Sequence, residues 1–230
     1  MTTHAFDRRL PGMLLALTAV TGLVDAVSYL ALGHTFTANM TGNVVFLGFA
    51  AARVPGLSLA RSGAALAAFA FGAIVAGRVT AALGAGSRRR WAGLAFGAEA
   101  VLMLGAAAIT VGAPSDLLAD AWRLHGVICF TGFAMGLRNA VVRKLGERDL
   151  TTTVLTLTLT GLASESVLAG GSNAGWPRRV SSITLMFAGA AAGAWLLRHS
   201  VALPLAVSAA VAGACSFLAW FGGGSTDDMG

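Results

Sequence analysis

Asp25 precedes the octet FTANMTGN (36–43), which supplies Asn39, Thr41 and Asn43, and long apolar runs flank the whole stretch. A carboxyl group with amide and hydroxyl groups in apolar surroundings could take up a proton or compensate a cation. The same groups could instead cap loose backbone. Asn139 lies in a later apolar run, and TTTVLTLTLTGLASE (151–165) supplies Thr153 and Thr156. Asp25, Asn39, Thr41, Asn43 and Asn139, facing Thr153 and Thr156, form the candidate substrate or ion site. Glu99, within WAGLAFGAEAVLMLG (91–105), has no polar neighbour in its own run. It must find a partner elsewhere or remain uncharged. Arg78, on the preceding run, is the expected partner, as a structural or a coupling pair. Arg78 and Arg138 both stand near the basic ends of their runs, and the alternative to a Glu99–Arg78 pair is that both arginines reach the headgroups. An ionisable group at the centre of a spanning helix costs about 2.5–3.5 kcal/mol, so each is expected to pair or to face a cavity.

Other chemistries find little support. The four histidines are scattered and make no zinc pattern. Cys129 and Cys215 lie inside apolar runs without ligand spacing and are expected to be reduced core residues. His125, near Cys129, is expected to be packing. Ser164, Ser166 and His125 are the nearest approach to hydrolytic groups, but no serine–histidine spacing supports them. There is no phosphate loop and no dinucleotide fingerprint. Neither enzyme activity nor a cofactor or metal is expected. Gly93/Gly97, Gly132/Gly136 and Gly189/Gly193 form GxxxG pairs, which in a chain with 30 glycines say only that helices can pack closely.

These residues must be positioned inside a bilayer. Of the 230 residues 56% are hydrophobic and 11% charged, against about 25% charged in soluble domains. Mean hydropathy is +0.75. The net charge of +6 comes from basic residues in short loops between apolar runs, as cytoplasmic loops have. No basic surface is left for nucleic acid. A single membrane domain over 1–230 is expected, with the lipid bilayer as its surroundings; homo-oligomerisation is left open. The first apolar run continues through Leu32, longer than a signal core, so a retained first helix is preferred.

Eight apolar segments can be marked, near 11–32, 38–52, 62–83, 91–112, 122–142, 151–170, 180–197 and 201–221. With eight crossings, the loop arginines and lysine divide evenly between the two sides. If the second and sixth segments do not fully cross, Arg8, Arg9, Arg88, Arg89, Arg90, Arg143, Lys144, Arg148, Arg178 and Arg179 share one side. Arg53, Arg61, Arg123 and Arg198 take the other. Only this arrangement obeys the positive-inside rule, with both termini cytoplasmic. The expected fold is therefore all-α: about six transmembrane helices plus two interrupted or re-entrant segments. Leu155–Thr160 alternates apolar and polar as a strand would. A lone strand in lipid is excluded, which leaves irregular backbone buried in protein, or a plain helix.

TGLVDAV (21–27) also matches MGLRNAV (135–141), with Asp25 facing Asn139. Each motif opens a half in which a Thr-bearing segment and two further spans follow. The half-repeats run approximately 11–112 and 122–221, and three crossings per half would make them inverted. GLVDAVSYLALGHTFTANMTGNVVFLG (22–48), GLRNAVVRKLG (136–146) and TTTVLTLTLTGL (151–162) resemble the YoaK-like family of uncharacterised bacterial inner-membrane proteins. Where that resemblance leads one to expect Gly after Thr156, this chain has Leu157. The resemblance implies a polytopic inner-membrane protein and no established activity. The residues themselves favour a small-solute or ion transporter or channel with a polar intramembrane site. The alternatives are a non-catalytic scaffold or assembly protein and, less favoured, an intramembrane enzyme.

Overall fold

The computed structural model describes residues 2–84, 88–112, 117–146 and 155–221. Among them are eight α-helices and no strand. They are α1 (Thr2–Ala31), α2 (Met40–Ala51), α3 (Leu59–Leu83), α4 (Arg88–Thr110), α5 (Ala121–Leu145), α6 (Leu155–Ser164), α7 (Trp176–Leu197) and α8 (Ala202–Phe221). α1, α3, α4, α7 and α8 are long and apolar enough to cross a bilayer. α5 is as long as α3 but carries Arg123, His125, Arg138, Asn139, Arg143 and Lys144, and its buried face includes Arg138. α2 and α6, of 12 and 10 residues, reach only about 18 and 15 Å, roughly half of a hydrocarbon core. Six long helices plus two short ones is the plan expected from the sequence.

The alternating Leu155–Thr160 stretch is helical. Period-two hydropathy loses here because a helix satisfies its own backbone, whereas a strand at membrane depth needs neighbours. Residues 151–154 of the same segment lie outside the described ones.

Helix ends follow local chemistry. Ser58 Oγ accepts the Arg61 N–H ahead of α3, and Asp120 Oδ1 accepts the Arg123 N–H ahead of α5. α5 ends at Gly146 in the left-handed conformation, with Arg143 and Lys144 in its last turn, where the helix dipole favours cations. α1 ends before Gly33 and His34, whose φ values are 75° and 58°. The non-helical stretch that follows leads directly into α2.

Close approaches fix the helix directions. Gly93 meets Trp220, Gly97 meets Ser216 and Gly213 meets Ala100, so α4 and α8 run antiparallel. Gly105 meets Phe130 and Gly126 meets Ile109, so α4 and α5 are antiparallel too. Gly132 meets Ala65 and Ala68 while Gly136 meets Phe69, so α3 and α5 run the same way. Gly22 meets Met186 and Ala190 while Gly193 meets Leu23 and Ala26, so α1 and α7 do likewise. Eight full crossings would make α4 and α8 parallel; six crossings make them antiparallel, as found.

The helix ends agree. Arg88 at the start of α4 pairs with Asp7 near the start of α1, at 3.6 Å. Arg89 donates to the Ala219 and Trp220 carbonyls at the end of α8. Lys144 at the end of α5 reaches Thr80 and the Gly77 carbonyl near the end of α3. These basic residues therefore share one end of the bundle. Gly33 lies against the Arg61 guanidinium and Leu118 at the opposite end.

Candidate functional site

The site begins where α1 stops. Asp25 sits nearly two turns before that end and is 7% exposed. Its Oδ2 accepts Asn39 Nδ2 at 3.0 Å across the non-helical stretch. The stretch is held by Asn43. Its Oδ1 accepts the Phe36 N–H at 3.0 Å, and its Nδ2 donates to the Phe36 carbonyl. One amide side chain thus supplies both the acceptor and the donor that a neighbouring backbone would give. That is what irregular backbone at membrane depth demands. Asn43 is fully buried and is spent on this clamp. Phe36 stacks between Tyr29 and Phe46, with ring centroids 5.3 and 5.7 Å away, which fixes α2 against the end of α1.

Beneath Asp25 lies an ion pair that the sequence assigned differently. Glu99 was expected to meet Arg78, but it pairs with Arg138: Arg138 Nη1 donates to Glu99 Oε1 at 2.7 Å, and both side chains are fully buried. Arg78 is exposed. The reason is register. Glu99 is about halfway along α4 on the face that meets α5, whereas Arg78 points away from the bundle. The expectation that Arg138 reaches the headgroups is likewise corrected. Its Nη1 also donates to the Leu17 carbonyl at 3.3 Å, and its Nη2 donates to Thr21 Oγ1 at 2.6 Å and lies 3.2 Å from Met135 Sδ. Arg138 therefore ties α5 to α4 and to α1, and it acts on the Asp25 charge as well.

The remaining candidates separate. Asn139 is half-buried, and its Nδ2 donates to the Met135 carbonyl at 2.7 Å, one turn back on α5. Thr41 and Thr156 are exposed. Thr153 lies outside the described residues. α2 packs on α3 and α6 packs on α7, so the facing of the two short segments expected from the sequence is not what organises the bundle. What meets at the centre is α1, α4 and α5. Glu165, just past α6, pairs with Arg179 of α7 at 2.9 Å.

Sequence reasoning missed Thr21, Thr35 and Thr37, all buried. Thr21 relays Arg138 to the Leu17 carbonyl, to which its own hydroxyl donates at 3.0 Å. Its place one turn before Asp25 was the available signal. Cys215 is buried as expected, but Cys129 is exposed. Cys129 lines an apolar cavity of about 480 Å³ between α3, α4 and α5, with Phe71, Leu102, Phe130 and Phe133. Walls of that kind suit an acyl chain rather than a polar solute. His125 Nδ1 lies 2.7 Å from the Ala121 carbonyl on its own helix.

The arrangement places two carboxyl groups and one guanidinium in a medium of low dielectric. Such groups are tolerated there only when paired or when they serve a pathway. Among the described residues no group of three or more His, Cys, Asp or Glu side chains could hold a metal ion.

Residues 13–218 match the family described as "Protein of unknown function (DUF1275)". The chain is 36% identical over 165 residues to the UPF0700 transmembrane protein YoaK of Bacillus subtilis (strain 168), covering 72% of this chain and 69% of that protein. No solved structure matches the chain.

Proposed function

The chain belongs to the DUF1275 family, and from the geometry of its buried centre we propose that it is a small-solute or ion transporter or channel of the bacterial cytoplasmic membrane. The observation that carries this reading is the buried Arg138–Glu99 pair, tied to α1 through Leu17 and Thr21 one turn before the buried Asp25, together with the non-helical backbone beside Asp25 held by Asn39 and Asn43. Intramembrane carboxylates beside interrupted helices mark solute and ion pathways.

The helix pairing supports a second element of the reading, two inverted halves. α1 packs on α7, and α5 packs on α3, so the first long helix of each half meets the third element of the other. The glycine crossings repeat in kind. A Cβ on Gly22 would strike the Met186 carbonyl and one on Gly189 the Ala19 carbonyl. On the other side, Gly136 would strike the Phe69 carbonyl and Gly72 the Phe133 carbonyl. Gly22 and Gly136 are the same position of the repeated motif. α1 runs with α7, which the short turn at 198–201 reverses into α8. Since α8 and α5 both oppose α4, α1 and α5 run in opposite senses. Halves so related can rock about a fixed site, which is how inverted-repeat transporters alternate access.

The test is reconstitution of the purified protein into proteoliposomes. Charge movement is recorded on solid-supported membranes during concentration jumps of Na⁺, K⁺, H⁺ and a panel of amino acids and monocarboxylates. At least one jump is expected to give a protein-dependent current or uptake that Asp25→Asn abolishes while helical content is retained. Vesicles that stay silent and ion-tight under every gradient, with wild-type protein inserted, would refute transport.

Orientation is a separate expectation. The end bearing Asp7, Arg88, Arg89 and Lys144 should be cytoplasmic, because loops rich in arginine and lysine are retained there. With Cys129 and Cys215 replaced by serine, a cysteine at Arg53 or Arg198 should react with a membrane-impermeant maleimide in intact cells. One at Arg90 should react only after lysis. The reverse pattern inverts the topology.

A further inference from the structure

Three charged groups share the buried centre, and their charges do not balance. Arg138 contributes one positive charge; Asp25 and Glu99 contribute two carboxyl groups. Arg138 directs one terminal nitrogen to Glu99 Oε1 and Leu17 and the other to Thr21. Asp25 Oδ2 is engaged by Asn39, but Asp25 Oδ1 is buried and has no donor, and Glu99 Oε2 is in the same condition.

The neighbouring stretch adds oxygen groups of its own. Thr35 and Thr37 are 1% and 0% exposed, and neither hydroxyl has a partner. They lie in the same non-helical stretch as Asn39, which bonds to Asp25. An unsatisfied buried hydroxyl is costly, and two of them stand in the stretch that also supplies Asn39 to the half-orphaned Asp25 carboxylate.

We propose that Asp25 Oδ1 is the binding position of a single monovalent cation, a proton or a sodium ion, which neutralises the Asp25–Arg138–Glu99 centre and couples to transport. Either species supplies the missing positive charge. A proton needs only the carboxylate oxygen. A sodium ion needs several oxygens, which Asp25 with the Thr35 and Thr37 hydroxyls and the local carbonyls of the non-helical stretch would provide. The charged and titratable groups that bear on Asp25 and its partners are Arg138 from α5, Glu99 from α4 and Cys215 from α8. α7 meets α1 through Gly189 and Gly193 and brings no charge to that crossing. Since Arg138 already saturates one oxygen of Glu99, the cation is assigned to the carboxylate on the unwound side.

This inference rests on the transport reading for its coupling role but is tested by binding alone. Full-length protein in detergent is equilibrated with ²²Na⁺, with choline replacing sodium at constant ionic strength. In parallel, infrared difference spectra between acid and alkaline D₂O buffers follow the C=O stretch of a protonated carboxyl group. For sodium, saturable binding is expected, weakened at least about tenfold by Asp25→Asn and also by Thr35→Val with Thr37→Val. For a proton, no saturable sodium binding is expected. A carboxyl band disappears in Asp25→Asn and persists in the double valine variant. If Asp25→Asn does not fold, Asn39→Ala perturbs the same carboxylate and should shift the sodium affinity or the carboxyl band. Absence of saturable sodium binding together with an infrared difference spectrum unchanged by these substitutions overturns the proposal. A cation site in a protein that moves nothing would refute transport and leave the site standing. Uptake that ignores sodium and pH gradients would overturn the coupling role and leave transport standing.

Discussion

Arg138→Met should be among the most damaging single substitutions in this protein. It leaves Glu99 fully buried in the middle of α4 with no counter-charge and removes the donor that joins α5 to Thr21 and Leu17 on α1. Breaking a buried pair by deleting one partner costs about 3–5 kcal/mol, because the desolvation of the survivor is no longer offset. The expected result is a collapse of folded yield after detergent extraction and a large fall in unfolding midpoint in mixed micelles. Adding Glu99→Gln to Arg138→Met removes the stranded carboxylate and should restore more than half of that loss. It should not restore transport, since the centre then keeps Asp25 without its guanidinium. If the single substitution is as stable as the double one, Arg138 and Glu99 do not depend on each other.

The second large effect is steric. Gly136→Val and Gly22→Val should each prevent close approach of a parallel helix pair, α3 with α5 and α1 with α7. Even a bare Cβ at either glycine would overlap a backbone carbonyl of the facing helix, and a carbonyl cannot swing aside as a side chain can. Overpacking costs about 1–3 kcal/mol in cores that can adjust, and valine adds two methyl groups beyond the Cβ. Gly63→Ala in α3 is the matched control. Nothing lies within 4 Å of its Cβ position, so the change should be neutral or gain up to about 1 kcal/mol of helix propensity. Size-exclusion profiles and thermal unfolding of the three variants side by side decide the matter. Equal behaviour of Gly136→Val and Gly63→Ala would mean that the crossing is not close-packed.

The sequence disclosed the plan because a bilayer restricts the choices. Eight apolar runs, two of them odd in composition, and the sidedness of arginine lead to the helix directions found, and α4 against α8 discriminates between the two crossing counts. Asp25 with Asn39 was also legible, since both lie in or beside the first of the two stretches where apolar sequence is interrupted. The rest was tertiary. Glu99 and Arg138 are far apart in the chain, and no local pattern says which of two arginines an isolated glutamate will meet. Arg138 looked superficial because Arg143 and Lys144 follow it, but about 10 Å of α5 separates it from the helix end. Asn43 was grouped with the site on residue type, and only the geometry shows that its amide serves Phe36. The glycine pairs were visible but uninformative in a glycine-rich chain, because a spacing does not reveal what stands opposite.

The exchange of partners between the halves has a consequence for biogenesis. α1 leaves the ribosome long before α7 exists, and α3 must wait for α5. Until then the glycine-lined flanks of the early helices have only acyl chains beside them, and Asp25 and Glu99 have no guanidinium. Neither half can mature alone. A nascent chain stalled before Leu145 is expected to be a substrate for membrane quality control, and the two halves made as separate polypeptides should be stable only when co-expressed.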